Sequence, residues 1–266
     1  MADHLADRRA DRRADHLVAV VLAAGAGRRL RPLTHLLPKA LCPVGGVPLL
    51  DQALARAFSA TSDVAVNAHH RRQQLVAHVE AAWPGVHLSV EEPEALGTAG
   101  ALGHLRGWID GRAVLVLNAD AWHRADVEAL VSGWDGERAR LLTVSDPARG
   151  TWGDRRYIGA AVLPWDHVRR LPDAPAGLWE ASWRHLPPED GLELVHHEGP
   201  FFECGTPAAY LAANMAASGG RTVVGQGAVV EGAADESVVW PGARVERAEH
   251  LWRAIRATGG ITVLVR

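Results

Sequence analysis

Lysine is nearly missing from this sequence. Among 266 residues there are 27 arginines and a single lysine, Lys39. Arginine stands wherever charge alone suffices, so the surviving ammonium marks a place that needs a compact point charge on a flexible stem. Cysteine is equally scarce. Cys42 and Cys204 are the two thiols, too few for a disulfide framework in a chain of this length. A reducing, cytoplasmic location is expected. No apolar run approaches the roughly 20 residues that cross a bilayer. Arg8, Arg9, Arg12 and Arg13 ahead of residues 17–24 imitate a secretory leader. That apolar run is only about eight residues, the bottom of the leader range, and Asp7, Asp11 and Asp15 dilute its positive flank. An excess of positive charge is lacking too. A net charge of −3 gives no reason to expect nucleic acid or an anionic membrane as partner.

What is present is ordinary in bulk and concentrated in one stretch. Apolar residues make up 48% and charged residues 22%, as in a globular protein, and the length suits one α/β domain with a small appendage. Residues 18–39 read VAVVLAAGAGRRLRPLTHLLPK. An apolar run, short enough for a buried strand, breaks into Ala23-Ala24-Gly25-Ala26-Gly27. The glycines allow backbone conformations that other residues avoid. A strand feeding such a loop exposes successive backbone N–H groups, a concave row of donors that binds phosphate. Arg28, Arg29, Arg31 and Lys39 would neutralise a polyphosphate beside it. A redox dinucleotide-binding protein is disfavoured. Leu30 stands where the third glycine of that fingerprint belongs, and arginines crowd the loop.

The stretch 22–34 with Pro38-Lys39 resembles the signature of the sugar-nucleotide pyrophosphorylases, nucleotidyltransferases that join an NTP to a sugar 1-phosphate. The resemblance extends over about residues 18–215 through Leu96-Gly97-Thr98-Ala99-Gly100, Asn118-Ala119-Asp120 and Glu203-Cys204-Gly205-Thr206-Pro207. It implies a phosphate loop made by Leu22, Ala24, Gly25, Ala26, Gly27 and Arg28. It also implies an arginine on the NTP phosphates at Arg29, a transition-state lysine at Lys39 and a base-contacting loop at Gly97 and Thr98. Mg²⁺ would be bound by Asp120 and Glu203, and sugar contacts by rough position would fall at Asn67, Gly159 and Glu180. The resemblance is strongest to mannose-1-phosphate guanylyltransferases, so a guanylyltransferase of that kind is expected; the smaller uridylyltransferases of N-acetylmuramate 1-phosphate have a similar core. In this chain Arg28 replaces a common Thr, Ala119 a Gly and Glu203 an Asp. Ser145-Asp146-Pro147-Ala148-Arg149 stands where many relatives carry Glu-Lys-Pro, and Arg149 is the charge available there. These departures keep open a second reading, a catalytically weak homologue that binds sugar nucleotide as a regulatory subunit.

Taken in order, residues 2–17 read ADHL-ADRR-ADRR-ADHL, a low-complexity repeat with almost nothing to bury, and residues 1–16 are expected to be a disordered tail. Residues 17–218 are expected to form the nucleotidyltransferase domain. Apolar runs at 18–22, 63–67, 86–90, 113–117, 139–144 and 157–163 alternate with helical stretches at 49–60, about 70–82, one opened by residues 96–100, and one at 126–133. That alternation predicts a Rossmann-like, mostly parallel sheet with helices on both faces. Ligands should then lie beyond the carboxyl ends of the strands. Pro207 suits the first turn of a helix over 208–217. In residues 219–266, Val224 and Val230, then Val239 and Val245, are spaced by six, and glycine and small residues fill the gaps. This predicts hexapeptide β-helix rungs packed on the main domain, followed by a helix over 249–257 and a strand over 261–265.

Nucleotidyl transfer asks little covalent chemistry of a protein. A sugar-phosphate oxygen attacks the α-phosphorus and pyrophosphate leaves in line, so positioning and charge neutralisation dominate. Mg²⁺ typically uses one or two protein carboxylates. Asp120 ends an apolar strand and would face the ligand crevice. For the base, Glu92 is an acceptor-only carboxylate ahead of the Gly97 loop. Guanine offers two adjacent N–H donors where uracil or thymine offers one, which leans toward GTP and leaves uridylyl or thymidylyl transfer as the alternative. NTP and sugar 1-phosphate are the expected partners, with a homodimer through the hexapeptide-like end.

Overall fold

The runs LVAVVL and AVLVLN become the two central strands of a seven-stranded sheet in a computed structural model that describes residues 17–186 and 191–265. The tail over residues 1–16 lies outside the described residues. The strands of this sheet are β1 Leu17–Leu22, β2 Val64–Ala68, β3 His87–Val90, β4 Ala113–Asn118, β5 Ala139–Ser145, β6 Arg155–Leu163 and β7 Leu192–His196, in the order β7-β5-β6-β4-β1-β2-β3. Only β6 runs against its neighbours. A nearly continuous apolar run is what a parallel strand covered on both faces needs, and Val18, Val20, Val114 and Val116 are fully buried with Ala19, Val21 and Leu115. One face packs Val18, Val20, Val114, Val116 and Leu141 against Ala99, Leu102 and Ile109 and against Val168, Leu178 and Trp183. The expected α/β architecture is the one observed.

Register decides where the loops emerge. Leu22 lies level with Asn67 on one side and Asn118 on the other, and Ala68 lies level with Val90. Four strands therefore end together. The loops that start at Ala23, His69, Glu91 and Ala119 leave one edge of the sheet, as expected for a ligand-binding α/β protein.

Two compact units share the chain. The first gathers residues 17–25, 53–119 and 125–198 around the sheet; the second gathers 26–52, 120–124 and 199–266. In the second, Ala121–His123 pairs antiparallel with Phe201–Glu203. The helix Pro207–Ser218 starts with proline in its first turn, and Thr206 caps it by accepting from Ala209 N at 3.3 Å. The C-terminal segment winds as parallel rungs. Val223–Val224, Val238–Val239 and Ala254–Arg256 stack on one side, Val229–Val230 on Arg244–Val245, and Ala233–Asp235 on His250–Trp252. These rungs share one core with Leu30, Leu33, Val44, Trp122 and Tyr210. The Tyr210 hydroxyl donates to Pro43 O and accepts from Trp240 Nε1 at 3.0 Å.

The helix expected over 249–257 is instead two strands, His250–Trp252 and Ala254–Arg256, with Arg253 in a left-handed conformation at the corner (φ 47°). Local helix propensity loses to the ladder. Leu251 turns into the rung core while His250 and Trp252 face out, and each strand finds a parallel partner already laid down one coil earlier. The strand expected to close the chain is present as Thr262–Leu264, antiparallel to Ala254–Arg256.

Candidate active site

Within the sheet unit, the start of the phosphate loop is braced from below. Ala23 N donates to Asn67 Oδ1 at 2.6 Å, Asn67 Nδ2 donates to Glu91 Oε1 at 2.6 Å, and Glu91 Oε2 accepts from Leu96 N at 2.7 Å. Three loops are thus tied through two side chains that water does not reach; Asn67 is 3% exposed and Glu91 fully buried. A buried carboxylate is tolerable only with such partners. Asn67, expected to contact sugar, spends amide bonds on this framework. Glu91 was missed by the sequence reading. Its one signal is its position as the first residue after an apolar strand, and that does not separate it from Glu92. Glu92 itself is exposed and pairs with Arg72.

The Gly97 loop owes its small residues to a crossing segment. Gly97 has φ 71°, and a Cβ there would stand 2.6 Å from Ala176 O; at Gly100 it would stand 2.3 Å from Ala174 O. Ala176 O accepts from Ala99 N at 2.9 Å, and Thr98 Oγ1 accepts from Leu178 N at 2.8 Å. Thr98, expected at the nucleotide, therefore anchors residues 176–178 through its hydroxyl. Glu180 follows that anchor, its carboxylate folded over Gly177. Gly159 interrupts β6 with φ 90°, where the β5–β6 register shifts.

In the second unit the charged groups meet. Gly27 has φ 58°, and a Cβ there would lie 2.8 Å from Thr34 Cγ2 and 3.0 Å from Lys39 Cβ, so only glycine lets the chain pass. Thr34 Oγ1 donates to Gly27 O at 3.0 Å, and Arg28–Leu30 forms a short helical turn. Lys39, 8% exposed, places Nζ 2.6 Å from Asp120 Oδ2. Arg29, its side chain 70% exposed, places Nη2 2.7 Å from Glu203 Oε1. The two carboxylates are held side by side by backbone: Glu203 lies opposite Ala121, and Cys204 N donates to Asp120 O at 2.9 Å. All of this closes around Gly205. A Cβ there would stand 3.0 Å from Arg29 Nη2, 3.3 Å from Glu203 Oε1 and 3.4 Å from Lys39 Nζ. Two cations and two carboxylates, from residues far apart in sequence, thus form one neutral cluster.

A protein with these features has known kin. The Nucleotidyl transferase family model matches residues 18–149. N-acetylmuramate alpha-1-phosphate uridylyltransferase of Caulobacter vibrioides is 30% identical over 230 residues, covering 74% of this chain and 95% of that protein. The chain belongs to the sugar-nucleotide pyrophosphorylases. Mannose-1-phosphate guanylyltransferase of Mycobacterium tuberculosis is 32% identical over 136 residues, 48% of this chain and 38% of that protein. The crystal structure of HddC from Yersinia pseudotuberculosis complexed with GMP-PN superposes with a TM-score of 0.61 at 17% identity. It covers 74% of this chain and 98% of that one, and shares the fold.

For a pyrophosphorylase, the Asp120–Glu203 pair has the right chemistry for Mg²⁺. The donors are carboxylates, hard oxygen ligands, and Mg²⁺ commonly takes one or two of them while filling its other positions with water and substrate phosphate. Among the described residues no cluster of three or more His, Cys, Asp or Glu offers an all-protein cage, which that preference does not require. The thiols nearby do not compete. Burial pushes Cys42 and Cys204 up to about 12, against a small opposing pull from Lys39, so both stay protonated.

Proposed function

We propose that this protein transfers a nucleotidyl group from an NTP to a sugar 1-phosphate, with Mg²⁺, releasing pyrophosphate. The observation that carries the reading is the cluster of Arg29, Lys39, Asp120 and Glu203 around Gly205. Asp120 and Glu203 would hold the ion, which supplies charge neutralisation on the phosphates. The sugar-phosphate oxygen forms the new bond to the α-phosphorus as the bond to pyrophosphate breaks. Arg29 is exposed and can exchange Glu203 for a phosphate oxygen. Lys39 is buried along its stem, so its ammonium keeps one position and stabilises charge that develops there. The backbone N–H groups of residues 24–27 cradle the polyphosphate.

For the base, the reading moves from GTP to UTP. Guanine was expected because Glu92 was an available acceptor; Glu92 is engaged by Arg72. The relative matched over 95% of its length is named a uridylyltransferase, which supports the same choice. Cytoplasmic location and a homodimer are part of the proposal. Val224 and Val230 support the dimer, being exposed on the first rung though in register with buried Val239 and Val245.

The test is pyrophosphate release with Mg²⁺, crossing UTP, GTP and dTTP with several sugar 1-phosphates. UTP should be turned over fastest. Lys39→Met keeps the apolar stem and should lower kcat by about 10²–10³-fold. Absence of release with every pair, alongside sugar-nucleotide binding, would replace this reading by the regulatory one.

A further inference from the structure

Strand register brings three chain segments level at the carboxyl edge of the sheet unit. Leu22 on β1, Asn67 on β2 and Ser89 on β3 are neighbours across the sheet. The phosphate loop leaves after Leu22, and the segment that leads to Gly97 leaves after β3. With β2 between them, the two loops expected at the nucleotide start two strand spacings apart, about 10 Å. One NTP has to reach both, with its phosphates at the first and its base at the second. Its affinity therefore depends on the spacing of the loops as well as on the contacts in each.

Glu91 is placed to fix that spacing. Its backbone is pinned at both ends: Glu91 N donates to Ala68 O at 2.9 Å, and Glu91 O accepts from His69 Nδ1 at 3.0 Å. From this fixed root one carboxylate oxygen accepts from Leu96 N, the residue before Gly97, and the other accepts from Asn67 Nδ2. A carboxylate is acceptor-only, so it dictates how the Asn67 amide lies. The NH₂ group turns to Glu91, and the oxygen turns to Ala23 N at the start of the phosphate loop. Hydrogen bonds to a charged acceptor are roughly twice as strong as neutral ones. Burying a carboxylate costs more than burying an apolar side chain, so stability alone does not call for a charge at this fully buried position.

Resting on the proposed nucleotidyl transfer, we infer that Glu91, acting through Asn67 and Leu96, is a positioning residue that holds the phosphate loop and the Gly97 loop at the spacing of one NTP. The nucleotide binds as two linked fragments. With the loops in register, the second fragment binds at the high effective concentration set by the first. With the loops out of register that gain disappears, although each loop still takes its own fragment.

The same geometry specifies the variants. Glu91→Gln has nearly the same shape but leaves an NH₂ group facing either Leu96 N or the Asn67 NH₂. If the Asn67 amide turns over in response, its own NH₂ faces Ala23 N. Asn67→Asp alone sets two carboxylates against each other. The double variant Glu91→Gln/Asn67→Asp returns every donor to an acceptor. The new carboxylate accepts from Ala23 N and from the new amide, whose oxygen accepts from Leu96 N.

The full-length wild type, both single variants and the double variant are titrated with UTP, uridine and inorganic triphosphate in the presence of Mg²⁺, and Tm and steady-state kinetics are recorded for each. GTP and guanosine take the place of UTP and uridine if wild type binds GTP more tightly. Each single variant should weaken the NTP about tenfold or more while leaving nucleoside and triphosphate within about threefold of wild type. KM for the NTP should rise more than KM for the sugar 1-phosphate. The double variant should recover NTP affinity to within about threefold. Equal weakening of the NTP and its fragments would make Glu91 a structural residue and overturn the inference, as would unchanged NTP affinity or a double variant no better than the singles. Should a single variant not fold, Glu91→Asp, one methylene short of its donors, is read by the same criteria. If wild type binds an NTP but turns over no sugar 1-phosphate, the transfer reading fails and the titrations still decide the role of Glu91. If it binds neither UTP nor GTP, both readings fall.

Discussion

At the scale of single residues, charge is placed by backbone that leaves no room for anything else. Gly205 is the clearest case. Its hypothetical Cβ would crowd the ends of Arg29 and Glu203 and touch Lys39 Nζ, so glycine keeps the space between these charged groups open. The two cysteines show the opposite use of burial. Their thiols, raised from 9.0 to about 12 mainly by desolvation, are kept neutral by the fold. A thiol whose pKa is higher folded than unfolded favours the folded state fully below the unfolded value and withdraws that support as pH rises from about 9 toward 12. Thermal stability should therefore be insensitive to these groups at pH 7–8 and fall above pH 9, with Cys42→Ala/Cys204→Ala showing a shallower decline in calorimetry. Neither thiol should react with iodoacetamide at pH 8 until denaturant is added; rapid labelling of the native protein would contradict the burial.

At the scale of elements, the glycines of residues 96–103 illustrate how one motif can serve packing and binding together. The loop looks like a nucleotide motif, and it is also the groove through which residues 172–176 cross. Gly103 would meet Pro172 O at 2.0 Å if it carried a Cβ. Gly97→Ala combines a left-handed conformation, worth about 1–2 kcal/mol for an L-residue, with a contact against a carbonyl that cannot rotate away. A lowered Tm and a raised KM for the NTP are expected together, measured by thermal unfolding and initial rates, because the displaced segment is tied to the same loop through Leu178 N and Thr98. The mistaken helix over 249–257 belongs to the same scale. Its residues are good helix formers in isolation, but a strand one coil back was already waiting for hydrogen bonds.

At the scale of the whole molecule, the hexapeptide-like rungs belong to the unit that holds the charged cluster. Trp240, Val245, Leu251 and Ile255 share a core with Leu33, Val44, Trp122 and Tyr210. A chain ending at residue 218 would uncover that core and remove the Trp240 N–H that donates to the buried Tyr210 hydroxyl. It should be insoluble or lack a cooperative unfolding transition by circular dichroism, and a soluble, active truncation would show the rungs to be dispensable. Sedimentation of the full chain should report a dimer, and Val224→Asp/Val230→Asp should shift it to monomer without loss of secondary structure.

Sequence alone determined the family, the strand–helix alternation and the identity of the charged residues, because periodicity and motif spacing are local properties that survive without coordinates. Arg29, Lys39, Asp120 and Glu203 were legible one by one, each inside its own motif. What only the tertiary structure decided was who faces whom. Asn67 became a brace because Glu91, 24 residues on, reaches its amide. Glu92 lost its availability to an arginine from the preceding helix. Pairings of that kind depend on strand register and on which segments cross, and these are set by the packing of the whole chain.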